Sequence, residues 1–281
     1  MLTLPLIDSA IDRALLEDLG SGDVTTDAIV PRTARAIARA VAKQPLVVCG
    51  GDVFARVFYR LDPGVRVERR IADGSRIETG EVLWVVEGAT ASILAGERTA
   101  LNFAQRMSGI ATLTSRYVAA VPPGSALSIV DTRKTTPGLR AFERYAVRTG
   151  GGRNHRSDLG AMVLVKDNHV VAAGGVRAAV ELARARASHA LRIEVEVTSL
   201  AELDEALDAR ADVVMLDNFR PEDVAVAVGR AKGRALVEVS GGVTLERVAE
   251  LARLGVDVVS VGALTHSAQA ADISLELEPL G

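Results

Sequence analysis

From residue 192 onward the chain repeats one unit about every 21–22 residues, a short apolar run followed by a helical stretch. The runs are RIEVEV (192–197), VVML (213–216), ALVEV (235–239) and DVVSV (257–261). Two more, LSIV (127–130) and AMVLV (161–165), precede them. Helical patterns fall at 139–149, 175–187, 200–209, 221–231 and 244–254. Neighbouring parallel strands cannot be joined by tight turns and need crossovers of this kind, usually helices. The repeat therefore restricts this half to a β/α barrel or a doubly wound sheet. Six strands are clear, seven at most, which is short of a closed eight-stranded barrel.

The first part lacks that alternation. Residues 6–19 carry apolar side chains at helical spacing and end at Gly20; the turn-rich connector GSGDVTTDAIVP follows. Strands are expected at 33–42, 46–49, 65–71 and 81–87, with a short helix at 51–61, which suggests an α+β domain. A long helix spans about 90–120, with Gly109 as a point where it could break, and Pro122-Pro123-Gly124 ends it. The domain boundary falls between about 106 and 125.

Composition excludes several classes. A net charge of -3 and a pI near 5.9 give no global field for nucleic acid, and aromatics at 3% leave few stacking platforms. Cys49 is the single cysteine, so neither an internal disulfide nor a cysteine-based zinc site is open, and its apolar flank LVV predicts a buried thiol. The acidic and basic residues among positions 8–18 do not fit a signal peptide, and no uncharged apolar run is long enough to span a bilayer. The expectation is a soluble cytoplasmic protein without nucleic-acid or membrane partners.

In β/α barrels the chemistry sits at the C-terminal strand ends. The strands here run into Asp131-Thr132-Arg133-Lys134, Lys166-Asp167-Asn168-His169, Glu194 and Glu196, Asp217-Asn218, Ser240-Gly241-Gly242 and Val261-Gly262-Ala263. Arginine is the default cation, with twenty-nine against four lysines, yet two of those lysines, Lys134 and Lys166, lie within 131–169. Lysine offers a compact charge whose pKa can shift, where arginine is a fixed fork. Arg133, Lys134, His155, Arg156 and Lys166 suit an anion with two or more acidic groups. Glu196 and Asp217 could take hydroxyls, Mg²⁺ or a developing positive charge. The small residues closing the last two strands let backbone N–H groups approach a phosphate. Together these suggest chemistry on a phosphorylated sugar with an acidic acceptor. Glu194, deeper on its strand, reads as structural; Arg140, Glu143, Arg144 and Arg148 read as a solvated helix face, and Arg98 as part of an ion pair on the long helix.

DTRKTTPGLRAFERYAVRTGGGRNHR, followed by VKDNH, EVEV, MLDNF, EVSGGV and VGALTHS, resembles the nicotinate-nucleotide pyrophosphorylases, also called quinolinate phosphoribosyltransferases. The likeness extends to LLEDLGSGDVTTDAIVP and the ERTALNF helix. The resemblance implies transfer from phosphoribosyl pyrophosphate to quinolinate with decarboxylation and Mg²⁺. It implies an N-terminal α/β sandwich at 1–108, joined by the tail 268–281, and an incomplete six- or seven-stranded β/α barrel of the type II phosphoribosyltransferase kind at 109–267. It implies that Thr132, Arg133, His155, Arg156 and Lys166 hold the acceptor with Lys134 beside them, and that Glu196 and Asp217 face ribose and metal. It implies that Ser240-Gly241-Gly242 and Val261-Gly262-Ala263 take the 5′-phosphate, and that Arg98 reaches the neighbouring subunit's site in a homodimer. Catalysis would fall to Lys134, Glu196 and Asp217.

Two other readings compete. A related molybdenum-metabolism protein would share the fold with a different acceptor, but the intact TRK, NHR and KDNH clusters favour a dicarboxylate. Residues 73–88 loosely resemble a biotinyl or lipoyl carrier hairpin, yet no lysine lies between Lys43 and Lys134 to be modified.

Overall fold

A computed structural model describes residues 2–280. In chain order the elements begin with α1 (Leu4–Leu19), α2 (Val24–Ile29), β1 (Arg35–Ala42), β2 (Leu46–Val47), α3 (Gly51–Leu61), β3 (Arg66–Arg69), β4 (Arg76–Ile77), β5 (Val82–Ala89) and α4 (Thr90–Ala119). Then come β6 (Ser128–Val130), α5 (Arg140–Thr149), β7 (Val163–Val165), α6 (Asp167–Ala173), α7 (Val176–Arg186), β8 (Ile193–Val197), α8 (Leu200–Asp208) and β9 (Val213–Asp217). The chain closes with α9 (Pro221–Ala231), β10 (Leu236–Ser240), α10 (Leu245–Leu254), β11 (Val258–Ser260), α11 (Ala263–His266) and β12 (Ile273–Leu280). The described residues form two compact units, one of residues 2–115, 135–151 and 264–280, the other of 116–134 and 152–263.

The first unit is built on an antiparallel sheet in the order β12-β1-β5-β3, beside a small β2-β4 ladder. The C-terminal strand β12 runs the length of β1, from Arg35 opposite Leu280 to Ala42 opposite Ile273. Alternation decides which face of β1 is buried: Ala36, Ala38 and Ala40 are fully covered while Arg35 is exposed. Trp84 packs on Phe54, whose ring stands edge-on to Phe58, and all three are fully buried. Each such side chain contributes roughly 1.5–3 kcal/mol by leaving water. On α1, Ile7, Ala10, Ile11 and Leu15 form the buried stripe, and Asp8 and Asp12 bind Arg56 and Arg60 of α3 through paired contacts of 2.7–2.9 Å.

Three expectations change here. The connector after Gly20 contains α2, which starts because the Asp23 carboxylate accepts the Thr26 N–H as an N-cap. Gly109 does not break α4; a Cβ there would lie 2.0 Å from the Gln269 carbonyl oxygen, so the glycine serves close chain approach. Glu143 is not solvated: it is fully buried, pairs with Arg106 at 2.8 Å and accepts the Thr136 hydroxyl at 2.7 Å. Its partner lies on α4, which helical spacing along α5 does not reveal.

The second unit is a parallel sheet in the order β6-β11-β10-β9-β8-β7. The first strand thus lies beside the last, and no ladder joins β6 to β7, so the barrel has six strands and stays open there. Arg153 pairs with the free edge of β6, bridging Val130, with its N–H on the Ile129 carbonyl at 2.8 Å. Helices α7–α10 cover the sheet through Val180, Leu203, Val224 and Val248, none of them exposed. At the N-terminal ends, Asp212 accepts the Ile193 N–H at 2.7 Å and Asp257 the Val237 N–H at 2.8 Å, each tying one strand to its neighbour. The helix α6 was not expected. His169 nucleates it, its Nδ1 accepting the Lys166 N–H at 3.0 Å.

Candidate active site

A cavity of about 300 Å³ opens in the barrel unit, lined by Thr132, Arg133, Lys134, His155, Arg156, Lys166 and Ser240, with Leu164, Met215, Glu238 and Ser260. Most of these stand at or just past C-terminal strand ends. Thr132–Lys134 follow β6, and the Thr132 hydroxyl accepts the Lys134 N–H at 3.1 Å, which fixes the turn. Lys166 follows β7 and Ser240 ends β10. His155 and Arg156 come from the segment crossing the β6/β7 gap.

That crossing is anchored by Asp131, which is fully buried. Its carboxylate accepts the Asn154 side-chain amide at 2.5 Å and the His155 backbone N–H at 2.8 Å. Residues 135–151 between the two cationic clusters belong to the first unit, so the clusters meet although α5 separates them in sequence.

The electrostatics are those of an anion site. Burial, and then the neighbouring Arg133 charge, pull the Arg156 pKa down. A guanidinium still stays charged, so two like charges face one space and an anion between them relieves the repulsion. Lys166 pairs with Glu196 at 2.5 Å. An acidic ligand that draws Lys166 away releases the Glu196 carboxylate.

Beneath the cations lies a buried cluster. His155 Nε2 sits 3.1 Å from Glu194 and 3.4 Å from Glu238, both carboxylates almost wholly buried. Burial opposes charge on the ring, but the contacts with Glu194 and Glu238 outweigh it and push the pKa up to about 10. Burial likewise raises Glu194 above the usual carboxylate range. His155 Nδ1 accepts the Arg156 backbone N–H at 2.8 Å, which leaves no room for a proton on that nitrogen. His155 and the two carboxylates therefore titrate together, and the cluster as a whole keeps an extra proton through neutral pH.

The donor set of Glu196 and Asp217 fits a hard cation: two carboxylates at strand ends, Glu196 half-buried and Asp217 partly covered, with Asn218 Nδ2 donating to Asp217 Oδ2 at 3.0 Å. They are not part of a three-residue cluster of metal-ligand spacing; among the described residues that spacing belongs to His155, Glu194 and Glu238. Gly241 has φ +87°, and a Cβ on it would lie 2.8 Å from Asn218 Oδ1 and 3.2 Å from Asp217 Oδ1. Only glycine lets the turn after β10 come so close to the end of β9. Gly242 has open space above it, and Val261, just past β11, is tied to β6 through its N–H and the Val130 carbonyl at 3.0 Å.

The remaining expected residues divide. Glu196, Asp217, Gly241, Gly242, Val261, Gly262 and Ala263 end or follow strands of this sheet without lining the cavity, and Arg98 is an exposed residue of α4 in the first unit. Sequence reasoning missed Glu238 and Ser260, and it did not give Asp131 its anchoring role. The signal for Glu238 was present, a lone carboxylate inside the apolar run ALVEV, as Glu194 is in RIEVEV.

The family model described as quinolinate phosphoribosyl transferase, C-terminal domain, matches residues 110–276, and the corresponding N-terminal domain matches 23–108. The chain belongs to the quinolinate phosphoribosyl transferase family. Among its relatives, nicotinate-nucleotide pyrophosphorylase [carboxylating] of Mycobacterium leprae is 47% identical, with 95% of each chain covered. Quinolinate phosphoribosyltransferase [decarboxylating] 1 of Nicotiana glauca is 40% identical over 97% of this chain and 82% of its own. The crystal structure of NadC from Streptococcus pyogenes superimposes with a TM-score of 0.95 at 41% identity, covering 100% of this chain and 99% of that one. The likeness thus holds in sequence and in fold over the length of the chain. No helix of the described residues is long and apolar enough to cross a membrane.

Proposed function

We infer that this protein transfers the phosphoribosyl group of phosphoribosyl pyrophosphate to quinolinate with decarboxylation, giving nicotinate mononucleotide, pyrophosphate and CO₂ in de novo NAD biosynthesis. The observation that carries the reading is the cavity wall that gathers Arg133, Lys134 and Lys166 from strand ends of one sheet with Arg156 from the segment between β6 and β7. Charge-assisted contacts of this kind contribute about 1.5–3 kcal/mol each, enough for several to hold a small dianion.

In the proposed reaction Arg133, Arg156 and Lys166 hold the two acceptor carboxylates, with Thr132 and His155 in the same wall. The pyridine nitrogen forms a bond to C1′ of the ribose as the bond from C1′ to the pyrophosphate oxygen breaks. Glu196 and Asp217 face the ribose hydroxyls and the positive charge that builds on the sugar. Bound Mg²⁺ would neutralise charge on the leaving pyrophosphate, with the same two carboxylates as its protein ligands. The bond from the ring to the carboxylate next to nitrogen then breaks, its electrons pass into the pyridinium, CO₂ leaves, and a proton takes its place. Lys134 is the group beside the departing carboxylate that can supply that proton. Ser240-Gly241-Gly242 and Val261-Gly262-Ala263 present backbone N–H groups to the 5′-phosphate.

The assembly we propose is a cytoplasmic homodimer in which Arg98 serves the neighbouring subunit's site. The family models meet between 108 and 110, which supports dividing the chain there into a companion domain, with the tail 268–281, and a catalytic domain. The activity is tested by mixing protein, quinolinate, phosphoribosyl pyrophosphate and Mg²⁺ and following pyridine nucleotide formation, with nicotinate as the control acceptor. Nucleotide from quinolinate supports the reading; no product from either acceptor ends it. For Arg98, mixing inactive Arg98→Ala and Lys134→Ala subunits should restore part of the activity, and no recovery despite subunit exchange contradicts a shared site.

A further inference from the structure

We propose that Glu194 and Glu238 are positioning residues of the acceptor site, holding the His155 ring so that the following residue, Arg156, presents its guanidinium to the cavity. This rests on the reading that the cavity takes the acid acceptor.

Glu194 lies on β8 and Glu238 on β10, opposite Val213 and Met215 of the intervening β9, so their carboxylates reach Nε2 of His155 from two sides. The other ring nitrogen accepts the Arg156 N–H at 2.8 Å. Both nitrogens are thus engaged with the protein, and the ring has no N–H left to offer a bound carboxylate. What the ring does offer is orientation. The His155 backbone is fixed by Asp131, its ring by the two glutamates, and the Arg156 backbone by the ring. Arg156 Nη1 then donates to the Met162 carbonyl at 3.2 Å, which completes the frame around that guanidinium.

The charges make the placement informative. A cavity selected only for electrostatic attraction to a dianion would avoid a carboxylate in its wall, yet Glu238 lines it and is buried, with Oε1 lacking any hydrogen-bond partner. Neither oxygen of Glu194 has a hydrogen bond of good geometry, only the ion-pair approach of His155. Two buried, under-satisfied carboxylates cost stability. The contact they share is the histidine, so holding it is the work that accounts for them.

The two roles predict opposite signs. If the glutamates position His155, Glu194→Ala and Glu238→Ala each raise the quinolinate KM about tenfold or more, leave the phosphoribosyl pyrophosphate KM within about twofold, and are largely rescued by Glu→Gln, which keeps the shape and an acceptor. If they only oppose the dianion, both the Ala and the Gln variants lower the quinolinate KM, and that result overturns the proposal. A second measurement needs no turnover. In ¹⁵N-histidine-labelled, substrate-free protein the His155 ring, assigned by comparison with His155→Gln, should show a bare Nδ1 and a protonated Nε2. A proton on Nδ1, whether or not Nε2 also carries one, would overturn the clamp even if the enzyme proves active, and the expected ring state would support it even if quinolinate proves not to be the acceptor.

Discussion

The two ends of the barrel sheet use carboxylates in opposite ways. At the N-terminal end Asp212 and Asp257 each accept a backbone N–H of the neighbouring strand, at 2.7 and 2.8 Å. Asp212 also pairs with Arg184 at 3.3 Å, so both carboxylates have their partners within the fold and serve it. Within the sheet, on the side of the cavity, Glu194 and Glu238 are buried with oxygens left under-satisfied around one histidine that lines the cavity with four cations. The same sheet therefore keeps a finished end and an unfinished one. Unfinished electrostatics in a cavity mark the place where a ligand completes them.

Substitutions at the two ends should therefore act on different properties of the protein. Arg133→Ala and Lys166→Ala should lower kcat/KM for quinolinate by at least about 100-fold while leaving the thermal midpoint nearly unchanged. A large loss of stability with modest kinetic change would put them with the N-terminal end. Asp257→Ala should do the reverse, costing about 1–3 kcal/mol in denaturant unfolding because the Val237 N–H loses its partner, with kcat/KM within about twofold. Gly241→Ala sharpens the upper end. Its φ of +87° and the close approach to Asn218 should raise the phosphoribosyl pyrophosphate KM about tenfold and the quinolinate KM much less.

The smallest expected effect is on stability against pH. The His155 cluster holds its proton up to about 10 when folded, whereas an unfolded histidine releases it near 6.5. Between those values the native state binds more protons than the unfolded chain, so stability is fully present below about 6.5 and falls as pH rises toward 10. The slope cannot exceed about 1.4 kcal/mol per pH unit for one proton. His155→Gln should flatten it; an unchanged slope would place the proton elsewhere.

Much of this was legible in the sequence because the signals were local. The strands and helices after 192 follow from periodicity, and the cations declare themselves at the strand ends. What stayed hidden depended on distant partners. Asp131 meets Asn154 and His155 across an intervening helix, and Glu143 meets Arg106 on another helix. The helix α6 escaped because it has only seven residues and no buried stripe, and its cap is the unusual pairing of Lys166 with His169. Glu238 escaped because a charge within an apolar strand gives no sign of its partner until β8 and β10 are seen flanking β9.

The central claim is that the unfinished end holds quinolinate while its ring is ribosylated and then decarboxylated. The direct measurement is CO₂ release from quinolinate labelled in the carboxyl next to nitrogen, followed alongside nucleotide formation. The account predicts one CO₂ per nucleotide, release that requires phosphoribosyl pyrophosphate, and loss of both products together in Arg133→Ala. Nucleotide that retains the label, or no nucleotide at all, would contradict it.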